Sequence, residues 1–159
     1  MGIRENEIRK NRLKFNANEI VLAVNMIEKL EKTMELIYYL MENGSEESFV
    51  LMLMTAKEID MHKLLEFEKR DTDILFEIDQ EEAIYVMLCQ DTKVDGGYRF
   101  AERIIKNILS KKGKDTYCTE LEIRSTNYQV KNVILRLVET YIKSKAENKT
   151  NQIVYKSLN

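Results

Sequence analysis

The most constraining feature of the sequence is a run of six consecutive apolar side chains at residues 49–54 (FVLMLM). The run has the length of a β-strand and lies between Gly44-Ser45 and a charged segment, which is typical of a strand buried on both faces. A strand of this kind occupies the interior of a sheet. The sequence therefore predicts a central strand in a layered α/β structure.

Apolar residues at three- and four-residue spacing predict a long helix over about residues 18–43, ended by Gly44. Its stripe is Ile20, Val24, Ile27, Leu30, Met34, Ile37 and Met41. The stripe also fits a coiled-coil seam, but it holds for fewer than four heptads, so packing on a sheet is favoured. Further helices are predicted over about residues 58–70, 95–109 and 127–146.

Two short β-like runs, residues 74–78 and 83–88, are joined by a polar turn and predict an antiparallel hairpin. Residues 117–124 alternate apolar and polar side chains, with Glu120 and Glu122 on the polar side, which predicts a half-exposed strand. A last strand is predicted at 152–155. This order predicts a mixed sheet of about five strands with helices on its faces, preceded by a long N-terminal helix. Residues 1–17 are assigned to a basic extension and 18–159 to a single domain.

Composition excludes several classes. The chain has 44% apolar residues, 33% charged residues, no proline and five glycines, which argues against collagen-like, disordered and β-sandwich chains. The formal charge of −2 gives no reason to expect a nucleic acid or direct membrane contact. Without an apolar run of about 20 residues or a secretory segment, the expected location is cytoplasmic.

The residues that most often carry metal or thiol chemistry are scarce. Cys89 and Cys118 fall on separate predicted strands and are expected to be buried thiols. His62 is the only histidine and is expected on a helix surface. We therefore expect no cofactor, no metal and no Cys/His catalytic set.

Motifs along residues 20–155 resemble a degenerate bacterial GGDEF domain, the palm-like fold of diguanylate cyclases. The sequence Arg70-Asp-Thr-Asp73 stands five residues before the polar turn, as the family's RxxD motif does before its signature. Asp91-Thr92, a helix spanning residues 97–104 and a terminal segment at 140–155 complete the resemblance. The resemblance implies the mixed-sheet fold and a place in cyclic di-GMP signalling.

Three departures from the family predict that the chain is not an enzyme. The signature turn is Asp79-Gln-Glu-Glu-Ala83 and lacks the glycines that let a backbone approach a nucleotide closely. The family's metal-binding aspartate would fall at residues 54–56, where no carboxylate stands, although phosphoryl transfer needs a bound Mg²⁺. The helical insert that grips the nucleotide in active members is much shorter before Arg70.

The retained motif corresponds to the family's inhibitory site, which binds cyclic di-GMP. An arginine can donate to guanine O6 and N7, and a carboxylate can accept from guanine N1–H and N2–H, so Arg70 and Asp73 are the expected ligand residues. Arg99 and Arg103, one helical turn apart, are expected to complete the site. The combination is most similar to receptor domains of the PelD type, which implies a regulator of exopolysaccharide production or secretion with a protein partner in that complex.

Other interpretations stay open at this stage. Arg70 and Asp73 could form an ordinary surface ion pair, and residues 79–82 could be a solvated loop or a residual metal site. The main alternative function is a GGDEF-fold scaffold without a nucleotide ligand, which binds another protein through its N-terminal helix or a sheet edge. An active nucleotide cyclase is the third possibility.

Overall fold

A computed structural model describes residues 14–158, which form four helices and five strands. In chain order these are α1 (Ala17–Glu42), β1 (Phe49–Lys57), α2 (Met61–Glu68), β2 (Asp73–Asp79), β3 (Ile84–Gln90), α3 (Val94–Ser110), β4 (Lys114–Ile123), α4 (Val130–Ala146) and β5 (Ile153–Leu158). The predicted order of elements is confirmed. Residues 1–13 of the predicted basic extension lie outside the described residues, and its boundary with the domain stays a prediction.

The strands form one mixed sheet in the order β2-β3-β1-β4-β5. The apolar run lies in β1, which pairs antiparallel with both β3 and β4 and is buried up to its last residue. The hairpin of β2 and β3 is antiparallel, whereas β4 and β5 are parallel. The predicted fold class, a mixed five-stranded sheet with helices on its faces and a long helix in front, is confirmed.

Alternation along β1 divides the interior into two apolar cores. Phe49, Leu51 and Leu53 belong to a core with side chains of α1 and α4. Val50 and Met52 belong to a second core with side chains of α2 and α3. Since successive side chains of a strand point to opposite faces, one strand supplies the centre of both cores.

Helix α1 begins with a capping box, in which Asn16 Oδ1 accepts from Glu19 N at 2.9 Å and Glu19 Oε1 accepts from Asn16 N at 2.8 Å. The predicted stripe is only partly correct, because Ile20 and Val24 are exposed. The buried positions there are Ala23 and Met26. At about 100° per residue, Val24 is turned well away from Ala23, so the N-terminal part of the stripe misses the sheet.

The prediction of a half-exposed β4 is wrong. Glu120 and Glu122 are buried, because β1 and β5 flank the strand and α3 covers the face that carries both carboxylates. Glu122 accepts from Val94 N at 2.5 Å and from Ser157 Oγ at 2.8 Å, so it acts as the N-terminal cap of α3 from a neighbouring strand. A polar residue in an alternating strand can therefore be an interior residue with a partner.

Smaller predictions about single residues hold. Cys89 and Cys118 are free, buried thiols on β3 and β4. His62 lies on the exposed side of α2. None of the helices within residues 14–158 is long and apolar enough to cross a membrane.

Candidate functional site

The RxxD motif forms the turn between α2 and β2. The helix was predicted to reach residue 70, but it ends at Glu68, and the backbone of Lys69 is already extended. Asp73 N then donates to Arg70 O at 3.0 Å, which closes a tight turn. The motif thus lies at the start of the edge strand β2, with both of its functional side chains on the face covered by α2 and α3.

Arg70 and Asp73 are bound to each other. Arg70 Nη2 lies 2.7 Å from Asp73 Oδ1, Arg70 Nε lies 3.1 Å from the same oxygen, and Arg70 N donates to Asp73 Oδ2 at 2.8 Å. The Asp73 side chain is completely buried, whereas 51% of the Arg70 side chain is exposed. The hydrogen bond with Asp73 raises the pKa of Arg70. The carboxylate therefore orients the guanidinium and does not face the open surface.

The loop between β3 and α3 holds the other side of the guanidinium. Arg70 Nη2 donates to Thr92 Oγ1 at 2.8 Å. Thr92 is fixed in turn, since Ser48 Oγ donates to its carbonyl oxygen at 2.9 Å and the neighbouring Asp91 N donates to Glu46 Oε1 at 2.7 Å. Burial raises the pKa of Glu46. Arg70 is held from two sides, which leaves Nη1 as its nitrogen without a hydrogen bond among the described residues.

These supporting residues were not predicted. Thr92 was noted only as part of the resemblance, and nothing in the sequence indicated a role for Glu46 or Ser48. Both precede β1, more than 40 residues from the loop that they hold. Only the antiparallel pairing of β1 with β3 brings the two segments together.

Arg99 and Arg103 lie on one exposed face of α3, the face that follows Thr92. Positions 99 and 103 are separated by four residues and so share that face. Arg103 Nε lies 3.1 Å from Glu68 Oε2, and its guanidinium stacks 5.0 Å from the centre of the Phe100 ring. Within residues 14–158, Arg99 has no ion-pair partner. Three arginines thus flank the junction of α2, β2 and α3.

The end of β1, where the resemblance places a cyclase's metal-binding aspartate, carries a hydroxyl group instead of a carboxylate. At the end of β1, Thr55 Oγ1 donates to Glu82 O in the β2–β3 turn at 3.0 Å. Asp79 Oδ1 caps the same turn by accepting from Glu82 N at 3.1 Å, and Ala83 adopts a left-handed backbone with φ of 52°. Across the described part of the chain, no group of three or more His, Cys, Asp or Glu side chains is arranged to hold a metal ion.

Solved structures that are similar to this chain include diguanylate cyclases. The chain is similar to Pseudomonas aeruginosa SiaD, solved with its activator SiaC, with a TM-score of 0.63 and 12% identity over 80% of this chain and 56% of that one. It is also similar to the active GGEEF domain of a Vibrio cholerae diguanylate cyclase, with a TM-score of 0.60 and 10% identity over 78% of this chain and 92% of that one. A Caldicellulosiruptor saccharolyticus diguanylate cyclase/phosphodiesterase gives a TM-score of 0.51 and 10% identity over 80% and 86%.

These similarities define the fold as that of GGDEF domains. The chain spans a little over half the length of the SiaD chain. No protein-family model and no curated protein matches the sequence. The activity and ligands of the similar structures are therefore carried to this chain only as proposals.

Proposed function

We propose that this domain is a non-catalytic receptor for cyclic di-GMP. The observation that carries the proposal is the fixed guanidinium of Arg70, which is held on a buried carboxylate and keeps an exposed edge. Arg99 and Arg103 on the adjacent helix add two further cations to the same surface. A ligand with two guanines and two phosphates matches such a surface.

In this proposal the three arginines contact different parts of the ligand. Arg70 Nη1, together with Nη2 once it releases Thr92 Oγ1, donates to guanine O6 and N7, which are both acceptors. Arg99 and Arg103 meet the phosphates. Arg103 must exchange Glu68 for the ligand; the Arg103 side chain is 58% exposed, and Glu68 keeps the hydrogen bond that Asn107 donates to it. Asp73 acts on the ligand through Arg70, and it contacts guanine directly only if the guanidinium turns away from it.

The non-catalytic part of the proposal is supported by the chemistry at the end of β1. Thr55 and Ala56 are buried there, where phosphoryl transfer would need metal-binding carboxylates. The Thr55 hydroxyl is neutral and donates to a backbone carbonyl, so it does not supply the negative charge with which a carboxylate binds Mg²⁺. Formation of a cyclic dinucleotide from GTP and Mg²⁺ by the purified domain would overturn this part.

Calorimetric titration of the purified protein with cyclic di-GMP tests the ligand. We expect saturable binding with a dissociation constant below about 100 μM, which corresponds to a binding free energy of roughly −5.5 kcal/mol or better. Cyclic di-AMP is the matched control, since adenine presents N6–H₂ where guanine presents O6 and cannot accept both Arg70 bonds. The absence of heat with cyclic di-GMP, or equal binding of both dinucleotides, would refute the proposal.

Substitutions at Arg70 test the site. Arg70→Lys keeps a cation beside Asp73 but loses the planar guanidinium and its paired N–H donors. Binding of cyclic di-GMP should therefore weaken at least tenfold while the protein stays folded. Arg136→Ala is the matched control, because Arg136 is an exposed arginine on α4, on the other face of the sheet. If Arg70→Lys bound as tightly as the unsubstituted protein, the ligand would lie elsewhere.

The cellular role proposed for this receptor is control of exopolysaccharide production or secretion through a protein partner. The support for this role is the resemblance to PelD-type receptor domains. In a strain that carries the Arg70→Lys protein, secreted polysaccharide should no longer respond to raised cyclic di-GMP. An unchanged response would refute the cellular role. The receptor function itself would still be tested by the calorimetric titration.

A second candidate function is a protein-interaction scaffold that binds no nucleotide. It is favoured by apolar side chains that α1 exposes, of which Val21, Leu36 and Tyr39 are each more than half exposed. SiaD, one of the similar structures, was solved with an activator protein bound. A melting temperature that no guanine nucleotide raises would favour the scaffold, since a ligand of the folded state stabilises it by mass action.

A further inference from the structure

A second cleft lies on the opposite face of the sheet from Arg70. It has a volume of about 640 Å³ and is enclosed by the first turns of α1, the β2–β3 turn and the C-terminal part of α4. Asp73, the partner of Arg70, is opposite Cys89 in the sheet and faces α2 and α3. The two sites therefore share no side chain, and a ligand could occupy the second cleft whether or not Arg70 binds a nucleotide.

The polar lining of this cleft is predominantly anionic. Its carboxylates are Glu19, Asp79, Glu81 and Glu82, against the single ammonium group of Lys145. Apolar side chains of α1 and α4 form part of the walls. The α1 wall runs from residue 16 to residue 25, a length of about 14 Å at 1.5 Å per residue.

The carboxylates are distributed along the cleft. No three acidic, His or Cys side chains among residues 14–158 converge closely enough to hold a metal ion. A cation that satisfies separated carboxylates across apolar walls must itself be elongated, with its charges separated by an apolar chain. This excludes a compact divalent ion and favours an organic polycation.

The Tyr141 side chain provides an independent indication of a ligand. Only 4% of Tyr141 is exposed, yet it lines this cleft and the adjoining one of about 190 Å³. Its ring is held edge-on to Tyr117 with centroids 6.4 Å apart, and Lys145 Nζ lies 6.0 Å from the ring centre. Its hydroxyl has no hydrogen bond among the described residues and is open to the cleft, which leaves it available to a bound ligand.

The surroundings keep this hydroxyl neutral. Burial first, and then the charges of Glu82, Tyr117 and Asp79, raise the pKa of Tyr141 to about 12. A neutral phenol has lone pairs that can accept from an ammonium group and a proton that can be donated to a carboxylate. The hydroxyl and the turn carboxylates therefore suit the same cationic group.

We propose that this cleft binds an aliphatic polyamine. One ammonium group lies between the Tyr141 hydroxyl and the Glu82 carboxylate, and a second lies near Glu19 and Glu81 at the α1 wall. The methylene chain between them packs on the apolar walls. The ammonium group of Lys145 competes for the same carboxylates.

Titration with spermidine, followed by calorimetry and thermal melting, tests the proposal. We expect saturable binding and a raised melting temperature, whereas MgCl₂ at equal ionic strength should produce neither. Tyr141→Phe keeps the ring and removes the hydroxyl, and Glu82→Gln removes one charge, so each should weaken spermidine binding about tenfold. Lys145→Gln removes the competing cation and should tighten binding severalfold.

Matched variants outside the cleft control for general attraction to an acidic protein. Tyr155→Phe removes an exposed phenol on β5, and Glu102→Gln removes an exposed carboxylate on α3; both should bind spermidine unchanged. Equal effects of Mg²⁺ and spermidine would overturn the proposal. The proposal would also be overturned if the cleft variants and the control variants lost spermidine affinity equally. Unchanged affinity in both Tyr141→Phe and Glu82→Gln would overturn it as well.

Discussion

The carboxyl group of Glu120 is buried without a hydrogen-bond partner, and its replacement has a calculable effect. Glu120 is 2% exposed, and neither carboxyl oxygen has a hydrogen-bond partner among the described residues. Glu120 lies on β4, with a carboxyl oxygen next to Gly97 of α3. Burial raises its pKa from 4.5 to about 8.

The magnitude follows from proton linkage. The raised pKa means that the folded state holds the proton while the unfolded state has already lost it, so stability falls as pH rises from about 4.5 to about 8. At 1.36 kcal/mol per pH unit, the cost is about 3 kcal/mol at pH 7 and approaches about 5 kcal/mol above pH 8. Glu120→Gln has nearly the same shape and never ionises, so it should abolish this cost.

Urea unfolding of both proteins at a series of pH values measures the effect. At pH 4.5 the two should differ by no more than about 1 kcal/mol, because both side chains are then neutral and equally short of partners. At pH 7.5 Glu120→Gln should be more stable by about 3 kcal/mol or more. If the free energies of unfolding of the two proteins changed with pH in parallel between pH 5 and pH 8, the reasoning would be refuted. The carboxyl group would then ionise normally in the folded protein.

The remaining predictions concern packing and thiol reactivity. Gly97→Ala should destabilise the protein by about 1–3 kcal/mol, because the added Cβ would lie 2.6 Å from a carboxyl oxygen of Glu120. Gly96→Ala on the same helix meets no atom closer than 3.6 Å and should stabilise by about 0.5–1 kcal/mol, as thermal melting of the pair would show. Cys89 and Cys118 should not react with a thiol reagent in the folded protein, because both are buried and burial raises the pKa of each. Both should react after denaturation, and rapid labelling of the native protein would contradict this assignment.

The fold could be predicted from the sequence because local signals agreed with one another. The apolar run of β1, the helical stripes and the polar hairpin turn each indicated an element of the correct type, and their order restricted the possible topologies. Element ends were less predictable. The end of α2 is two residues earlier than the stripe indicated, since Lys69 already leaves the helix.

The two main errors have one physical cause. Ile20 and Val24 were assigned to the core by spacing, and Glu120 and Glu122 were assigned to the surface by polarity. Burial depends on what covers a face, and no local pattern shows that α3 lies over β4 or that the start of α1 extends past the sheet. Glu122 is buried because a helix N-terminus, distant in sequence, needs its carboxylate.

The sequence predicted that Arg70 and Asp73 lie together but not how they are arranged, and their role as ligand residues stays a prediction. Spacing placed Arg70 and Asp73 together, and a shared helix face brought Arg99 and Arg103 near each other. The sequence could not show that the Asp73 carboxylate is enclosed by its own arginine. That arrangement depends on Thr92, which the sheet brings to the motif from 22 residues away.

The Arg70–Asp73 pair has a structural role whether or not a ligand binds it. Removing the arginine side chain would leave a buried carboxylate without its cation, at a cost of about 1–3 kcal/mol, less than for a fully buried pair because half of the Arg70 side chain is exposed. Lost binding in an Arg70 variant is therefore informative only where folding is measured as well. Arg99 is exposed and has no ion pair within the described residues, so Arg99→Ala should leave the melting temperature unchanged. If it also weakens cyclic di-GMP binding at least fivefold, recognition extends along α3; unchanged affinity would confine the site to Arg70 and its immediate neighbours.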